Sequence, residues 1–353
     1  MCVVEKERDM IDRKLVRKII MVGIIALLIA PLSAFAAGSK EEAYPTRPIS
    51  VTVPYNPGGS TDLTARALAA PMSKALGVNI TVNNTPGAGG AAGSNVVANA
   101  PLDGYTLLAN GMLAFSSMPV LGTSTKTFRE WDIWLATFTP NIIAVRADSP
   151  YKTMNDLLAD LKARPGSVTD GTAGPGSGGH IGAEVLRAAA KIEYKHVSYP
   201  GGAPAILAML AGEVDFTTQL LVEMEDMIKA GKIRALACYS KDDIQIAGGP
   251  LIPSIAKFVP AAASYLPMGE TTGIAIPAGL SADKLAKLDA AFDTAVKSQE
   301  FIDFCKSKGF IINPMGRKAS QPYVENLASA VSWILFDAGV AKVSPEQFSI
   351  KRK

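Results

Sequence analysis

Cysteine, histidine and net charge are all scarce in this chain, and each scarcity excludes something. Three cysteines in 353 residues cannot supply a disulfide framework. A chain with room for about two domains buries enough apolar surface to fold without such staples. Cys238 sits in the strand-like run 233–238 and Cys305 in a helical stretch after Glu300, so both read as small buried hydrophobes, with a bridge between them left open. Two histidines, His180 and His196, are the only imidazole bases, and neither stands in a catalytic motif. Lys+Arg 35 against Asp+Glu 32 leaves a net charge of +3, too weak and too scattered to bind a phosphate backbone, which excludes nucleic acid as a partner. Charged residues at 19% against 48% apolar exclude a disordered polymer.

No apolar run reaches the ~20 residues of a spanning helix, but one shorter run carries meaning. Arg13, Lys14, Arg17 and Lys18 precede the apolar stretch Ile19 to Ala30, and Ala34-Phe35-Ala36 supplies a small-x-small cleavage pattern. This is the grammar of an export signal over residues 1–36. Retention of the leader as an anchor is the rival reading. Cys2 lies before the apolar run, on the wrong side for a lipoprotein. Removal of the leader leaves 29 basic and 28 acidic residues, a nearly neutral protein expected in the periplasm.

From Tyr44 onward strand-like and helix-like segments alternate. Residues 49–53 and 80–82 are short and β-branched; between them 62–76 has helical spacing and stops at Gly77. The alternation continues with a helix over 90–100, strands over 105–109 and 141–145, a helix over 155–163 capped by Thr153, and a helix over 179–190. Strands over 194–197, 214–218 and 233–238 follow, with a helix over 203–210 among them. A strand over 273–276 and helices to about Lys297 and over 320–336 close the chain. The expectation is an α/β fold with predominantly parallel sheets. Residues 110–140 and 240–270 read as irregular crossings. Two crossings make one domain discontinuous, 44–142 plus 266–353, with 143–265 inserted as a second lobe over a cleft.

The chemistry lies in glycine-rich turns that open helices. In Val53-Pro-Tyr-Asn-Pro-Gly58-Gly59-Ser60-Thr61-Asp62, unpaired amides and the positive dipole end face outward, and the glycines permit close approach of an anion. A second such turn runs from Gly171 to His180, in the other half of the chain. Two nests of N–H groups facing each other could hold one carboxylate from both sides. The turns at 86–90 and 199–204 are of the same kind, although glycine-rich junctions are often only tight connections. Asp62 is either an i,i+4 partner of Arg66 or a group that takes up an ammonium or orders water. His180 either contacts a carboxylate or merely sits near a helix start.

Enzyme readings fare poorly on the same residues. Ser177 has Pro175 where a nucleophile elbow needs glycine, and Ser60 is followed by Asp62 where glycine is required. His180 and Glu184 share a helix face, but two ligands without a third make a poor zinc site. Residues 87–93 only loosely match a dinucleotide fingerprint and follow the second predicted strand. No metal, cofactor or catalytic residue is expected.

Several segments, in this order and spacing, carry a family likeness: Tyr44-Pro-Thr-Arg-Pro-Ile49, Pro57-Gly-Gly-Ser-Thr-Asp62 with Ala65-Arg66, Val82-Asn-Asn-Thr-Pro-Gly-Ala-Gly-Gly90, Asp103-Gly-Tyr-Thr-Leu107, Gly174-Pro-Gly-Ser-Gly-Gly-His180, and Gly201-Gly-Ala-Pro-Ala205 with Gly212-Glu-Val-Asp215. Over nearly the whole region after the leader the chain resembles the extracytoplasmic receptors of tripartite tricarboxylate transporters, the TctC or Bug family. Leu102 departs from the proline usual there, which affects only that turn. The resemblance implies a two-lobed, type II periplasmic-binding-protein-like fold. It also implies a receptor that closes on a small carboxylate by main-chain N–H groups and ordered waters. Carried over by motif, the contact residues are Tyr55, Asn56, Gly58, Gly59, Thr61 and Asp62 from the first lobe and Thr172, Gly176, Ser177 and His180 from the second. Asn110, Pro200 and Gly201 stand in second rank, and Arg66 and Arg146 are the possible cationic exceptions. The implied partners are a permease with a large and a small subunit, the receptor itself being a monomer. A sensory carboxylate-binding protein and an exported carboxylate-processing enzyme are the alternatives. The choice among di- or tricarboxylates, amino acids and aromatic acids falls on irregular stretches such as 110–118.

Overall fold

A computed structural model describes residues 44–352; the expected leader over 1–36 lies outside the described residues. The first part of the chain is βαβ in grammar, as the alternation predicts. It comprises β1 (Ile49–Val53), α1 (Ser60–Leu76), β2 (Ile80–Asn84), α2 (Ala91–Ala98), β3 (Thr106–Gly111) and the short α3 (Met112–Ser117). Gly77 ends α1 in the left-handed region at φ 70°, donating its N–H to Ser73 O, the conformation that favours glycine after a helix. There follow β4 (Trp131–Pro140), β5 (Ile142–Arg146), α4 (Met154–Ala163), β6 (Thr169–Thr172), α5 (Gly178–Ala190), β7 (Lys195–Ser198), α6 (Gly202–Ala211), α7 (Leu221–Lys229) and β8 (Ile233–Cys238). The chain closes with the small hairpin β9 (Ile244–Gln245) and β10 (Leu251–Ile252), then β11 (Gly269–Pro277), α8 (Ala282–Val296), α9 (Gln299–Ser307), β12 (Ile311–Met315) and α10 (Arg317–Asp337).

One six-stranded sheet has the order β12-β4-β11-β3-β1-β2. β1 pairs in parallel with β2 and β3, but β11 runs antiparallel to β3 and β4, and β12 antiparallel to β4. β5–β8 is antiparallel and β6–β7 parallel. The expectation of predominantly parallel sheets is therefore corrected. The reason is topological: β4 carries the chain out of the large sheet and β11 brings it back. Neighbouring strands traversed in opposite directions pair antiparallel. The same two strands correct the reading of 110–140 as irregular, since that stretch contains α3 and the ten-residue β4. Residues 214–218 form only isolated bridges, Phe216 to Asp170 and Thr217 to Ala144, rather than a strand.

The crossing points lie side by side. Asn141 N donates to Met268 O, Tyr239 N to Asn141 O, and Met268 N to Tyr239 O, so outgoing and returning segments are tied by main-chain bonds. Trp134 on β4 is fully buried and donates its indole N–H to Asp289 Oδ1 at 2.7 Å. Arg317 at the start of α10 pairs with Asp289 and Asp132, which fastens α8 and α10 to the sheet. An apolar cluster around Ile133, Leu135, Phe115 and Val324 fills the sheet's own core. Another, with Ile142, Met209 and Ile228, lies under α6 and α7. A third joins Leu113, Val331 and Leu335 to Ile143, Leu157, Ile181 and Val185, so α10 packs on α5 as well as on its own sheet. Cys238 and Cys305 are buried free thiols.

At the register shift between Thr272 and Gly273 a Cβ on Gly273 would overlap the Trp134 carbonyl oxygen. Gly273→Ala should lower the urea unfolding free energy by more than about 2 kcal/mol, the scale of a small-to-large change in a packed interior. An unchanged midpoint would contradict this packing.

Candidate functional site

Residues of both glycine-rich turns line one cavity. Gly59 is the N-cap of α1 and Ser177 that of α5, its Oγ accepting from His180 N at 3.3 Å. Between these helix starts lies a cavity of about 30 Å³, room for roughly two water molecules. A direct hydrogen bond joins its walls, Ser60 N to Glu223 Oε1 at 2.8 Å, and two more lie around it, Asn56 N to Pro200 O at 3.2 Å and Ser117 Oγ to Gly176 O at 2.9 Å.

Of the residues expected to contact a ligand, Tyr55, Gly59, Thr61 and Ser177 line this cavity. Tyr55 donates its phenol to Gly89 O at 3.0 Å, and burial among two glutamates pushes its pKa up. The other expected residues lie around or behind it. The Gly58 amide donates to Asp62 Oδ2 and the Gly176 amide to His180 Nδ1, so both are committed inside their own loops. Asp62 is buried and turned towards Arg66 and Asn84. Burial opposes its ionisation, but Arg66, the Gly58 amide and Asn84 outweigh that and hold its pKa down. The i,i+4 reading of Asp62 is the one this geometry supports. Thr172 Oγ1 lies 2.6 Å from His196 Nε2, and His180 stacks on His196 with ring centroids 4.3 Å apart. Burial lowers both imidazoles to about 4, the Arg187 charge adding to the effect on His180 and His180 to that on His196, so they are neutral near neutral pH. Asn110 is buried, donating to Ser94 Oγ and accepting from Gly111 N. Pro200 contributes its carbonyl to Asn56, and Gly201 precedes α6 at φ 152°. Arg66 pairs with Asp62 and Arg146 with Asp148; neither lines the cavity.

Nine further residues line it: Ser60, Ala173, Gly178, Gly179, Gly202, Gln219, Leu220, Glu223 and Glu270. The polar ones change the chemistry. Glu270, 3% exposed, accepts from Leu113 N at 2.8 Å, with the amides of Met112 and Ala114 also directed at it. Glu223 presents Oε1 to the Ser60 amide, while its shielded Oε2 has no hydrogen-bond partner. Gln219, 2% exposed, has Nε2 equally unpartnered. Glycines make the room: a Cβ at Gly178 would stand 2.6 Å from Glu270 Oε2, and one at Gly202 would overlap Glu223 Oε2. Burial, with no cation among the lining residues, pushes Glu223 up to about 7 and Glu270 up to about 8, where Glu223 also acts on Glu270. Sequence offered one signal for this: Glu270 is the only charged residue between Lys257 and Asp283, an isolated charge inside an apolar strand. Glu223, among the ordinary acids of α7, offered none.

Comparison with known proteins gives the same architecture. BugD, a periplasmic binding protein, is 26% identical over 84% of this chain and 99% of its own, with TM-score 0.77. MatC from Rhodopseudomonas palustris, solved with bound malate, is 24% identical over 83% of this chain and 100% of its own, with TM-score 0.76. The fold is the two-lobed, type II periplasmic-binding-protein fold, with one lobe discontinuous and the cleft between lobes. The family model described as Tripartite tricarboxylate transporter family receptor, TctC, matches residues 64–330, and the chain belongs to that family of solute-binding receptors. Its relatives include the protein of the tcbD-tcbE intergenic region of Pseudomonas sp. strain P51, 31% identical over 81% of this chain and 84% of that protein. Protein BugT of Bordetella pertussis is 31% identical over 67% and 73%. The family is periplasmic, and among the described residues no helix is long and apolar enough to cross a membrane. No group of metal-ligating side chains occurs among the described residues either.

The raised carboxyls set the pH dependence. Glu223 and Glu270 hold protons in the folded protein that the unfolded chain has lost above its ordinary value of 4.5. Their stabilisation is complete below that value and is lost as pH rises through about 7 and about 8. Buried Asp170, also raised, acts in the same sense. The depressed histidines act oppositely, but only below their ordinary value of 6.5. The melting temperature should therefore fall between about pH 6.5 and about pH 8.5, and Glu270→Gln should flatten that fall. A slope identical in wild type and variant would contradict it.

Proposed function

We propose that this protein is a receptor for a small organic acid, bound in the cleft between lobes spanning about 44–142 with 266–353 and 143–265. The observation that carries this is the pair of opposed helix starts around one small buried cavity. Helix geometry leaves the amides of Thr61, Gly178 and Gly179 without intrahelical acceptors, and Gln219 Nε2 adds a donor with no partner. Four such donors on residues that line one small cavity suit a carboxylate, with no lysine or arginine needed there. Tyr55, Gly59, Thr61 and Ser177 form the contact layer. Asn56, Gly58, Asp62, Asn110, Thr172, Gly176, His180, Pro200 and Gly201 hold the loops that carry it.

Since the cavity has space for about two waters, a ligand enters only when the lobes part. Bonds such as Ser60 to Glu223 then break, and ligand contacts to both lobes favour reclosure. The closed receptor would deliver its cargo to a membrane permease of a large and a small subunit. The family's description as a transporter receptor supports transport over sensing, and the site has no nucleophile–base pair that would support turnover.

A thermal-shift screen of small organic acids tests the proposal. A true ligand at ~100 times its dissociation constant adds about 2.7 kcal/mol of stability and should raise the melting temperature by several degrees. Gly179→Val, whose first side-chain carbon would already lie 2.8 Å from Gln219 Nε2, should abolish that shift while the variant still melts cooperatively. A full shift in the variant, or product formed from an acid on incubation, would refute the reading.

A further inference from the structure

We infer that the ligand is zwitterionic: an amino acid or similar amine-bearing acid, its ammonium held by Glu223 and Glu270 and its carboxylate by Gln219 and the α5 helix start. This rests on the carboxylate-receptor reading above and narrows it. Two carboxylates line one cavity of about 30 Å³ in which no lysine, arginine or histidine takes part. A plain mono- or dicarboxylate fits that space only while both acids keep their protons, because ionising either beside it would set like charges together where water cannot screen them. An ammonium group reverses the sign of the problem, because it neutralises the pair and donates up to three hydrogen bonds.

The unmet hydrogen-bonding atoms divide the same way. Glu223 Oε2 is a shielded acceptor without a donor, and Gln219 Nε2, on a side chain 2% exposed, is a donor without an acceptor. A ligand that satisfies both must itself donate at one point and accept at another. Buried polar groups are seldom left unpaired in a finished site. The amides that the glutamates already use belong to α1 and α3, through Ser60 and Leu113. On α5, Gly179 packs against Gln219, where a Cβ would stand 2.8 Å from its amide nitrogen and oxygen alike, and Gly178 packs against Glu270 Oε2. A charged amine would also draw Glu223 and Glu270 into their ionised forms, so its binding releases protons near neutral pH.

Isothermal titration of the protein with the protein-forming α-amino acids and their des-amino counterparts, such as glutamate with glutarate or phenylalanine with 3-phenylpropanoate, tests this. At least one amino acid should bind more tightly than its counterpart by about a hundredfold, the scale of a buried charge pair. Its binding should release protons, read as a heat that varies with the ionisation enthalpy of the buffer. In Glu223→Gln or Glu270→Gln most of the preference should vanish, and the des-amino acid should gain affinity. A variant that had merely lost its structure would lose both ligands. Des-amino acids that bind as well as or better than amino acids in the wild type, with affinity falling above about pH 8, would mean that the glutamates act as protonated donors. That would overturn the zwitterion while leaving the carboxylate receptor intact. Binding by neither set would overturn both.

Discussion

The hydrogen bond from the Ser60 amide to the Glu223 carboxyl group, made across the cavity at 2.8 Å, joins the two sides of the site. It places a charge-bearing group of one lobe on the helix start of the other, where the α1 dipole favours it. Glu270 does the same within its own lobe at the start of α3. Because neither acid has a cation beside it, each relies on amides alone, and each is driven towards its neutral form. The glycines at 111, 178 and 202 follow from this, since side chains there would collide with the two carboxyl groups. Charge, loop composition and closure are thus one problem with one solution.

The architecture around the cleft divides the work between stiff and yielding parts. β4 and β11 lie beside each other along nine residue pairs, and the chain crosses between lobes at their ends, tied there through Asn141, Met268 and Tyr239. Behind the cleft, Leu113, Val331 and Leu335 share an apolar cluster with Ile181 and Val185, and Arg187 reaches the Ala338 carbonyl at 2.8 Å. At the cavity itself the two sides meet through polar bonds such as Ser60 to Glu223 and through a small apolar cluster of Tyr55, Ala114 and Ala173.

Most helices and strands were legible in the amino-acid order because local rules govern them. Thr153 caps α4 with a full capping box, Gly77 and Gly212 stop α1 and α6 in the left-handed region, and the β-branched runs became strands. The misreadings have one cause: pairing partners far apart in the chain. β4 looked broken because Gly111, Gly122 and Pro140 punctuate its surroundings, yet its strand character comes from β11, more than a hundred residues later. Likewise 214–218 looks like a strand, but its neighbours offer it only single bridges. Residues of both glycine turns, Gly59, Thr61 and Ser177 among them, border the cavity. The turn motifs overstated Gly58 and Gly176, because no local rule tells that an amide will be taken by Asp62 or by a histidine four residues on. Glu223 and Gln219 were invisible for the opposite reason: an acid in a helix and an amide in a loop acquire meaning only when another lobe is brought against them.

The contact between Gly89 and Pro175 has a kinetic side. A Cβ at Gly89 would overlap the Pro175 carbonyl oxygen, and one at Gly174 would stand 3.2 Å from the Gly89 Cα, so main chain meets main chain at the rim with no side chain between. Such a contact packs the two loops directly against each other at this point. For any molecule held in the cavity these two loops would have to separate before it could leave, so its exchange would be tied to their parting.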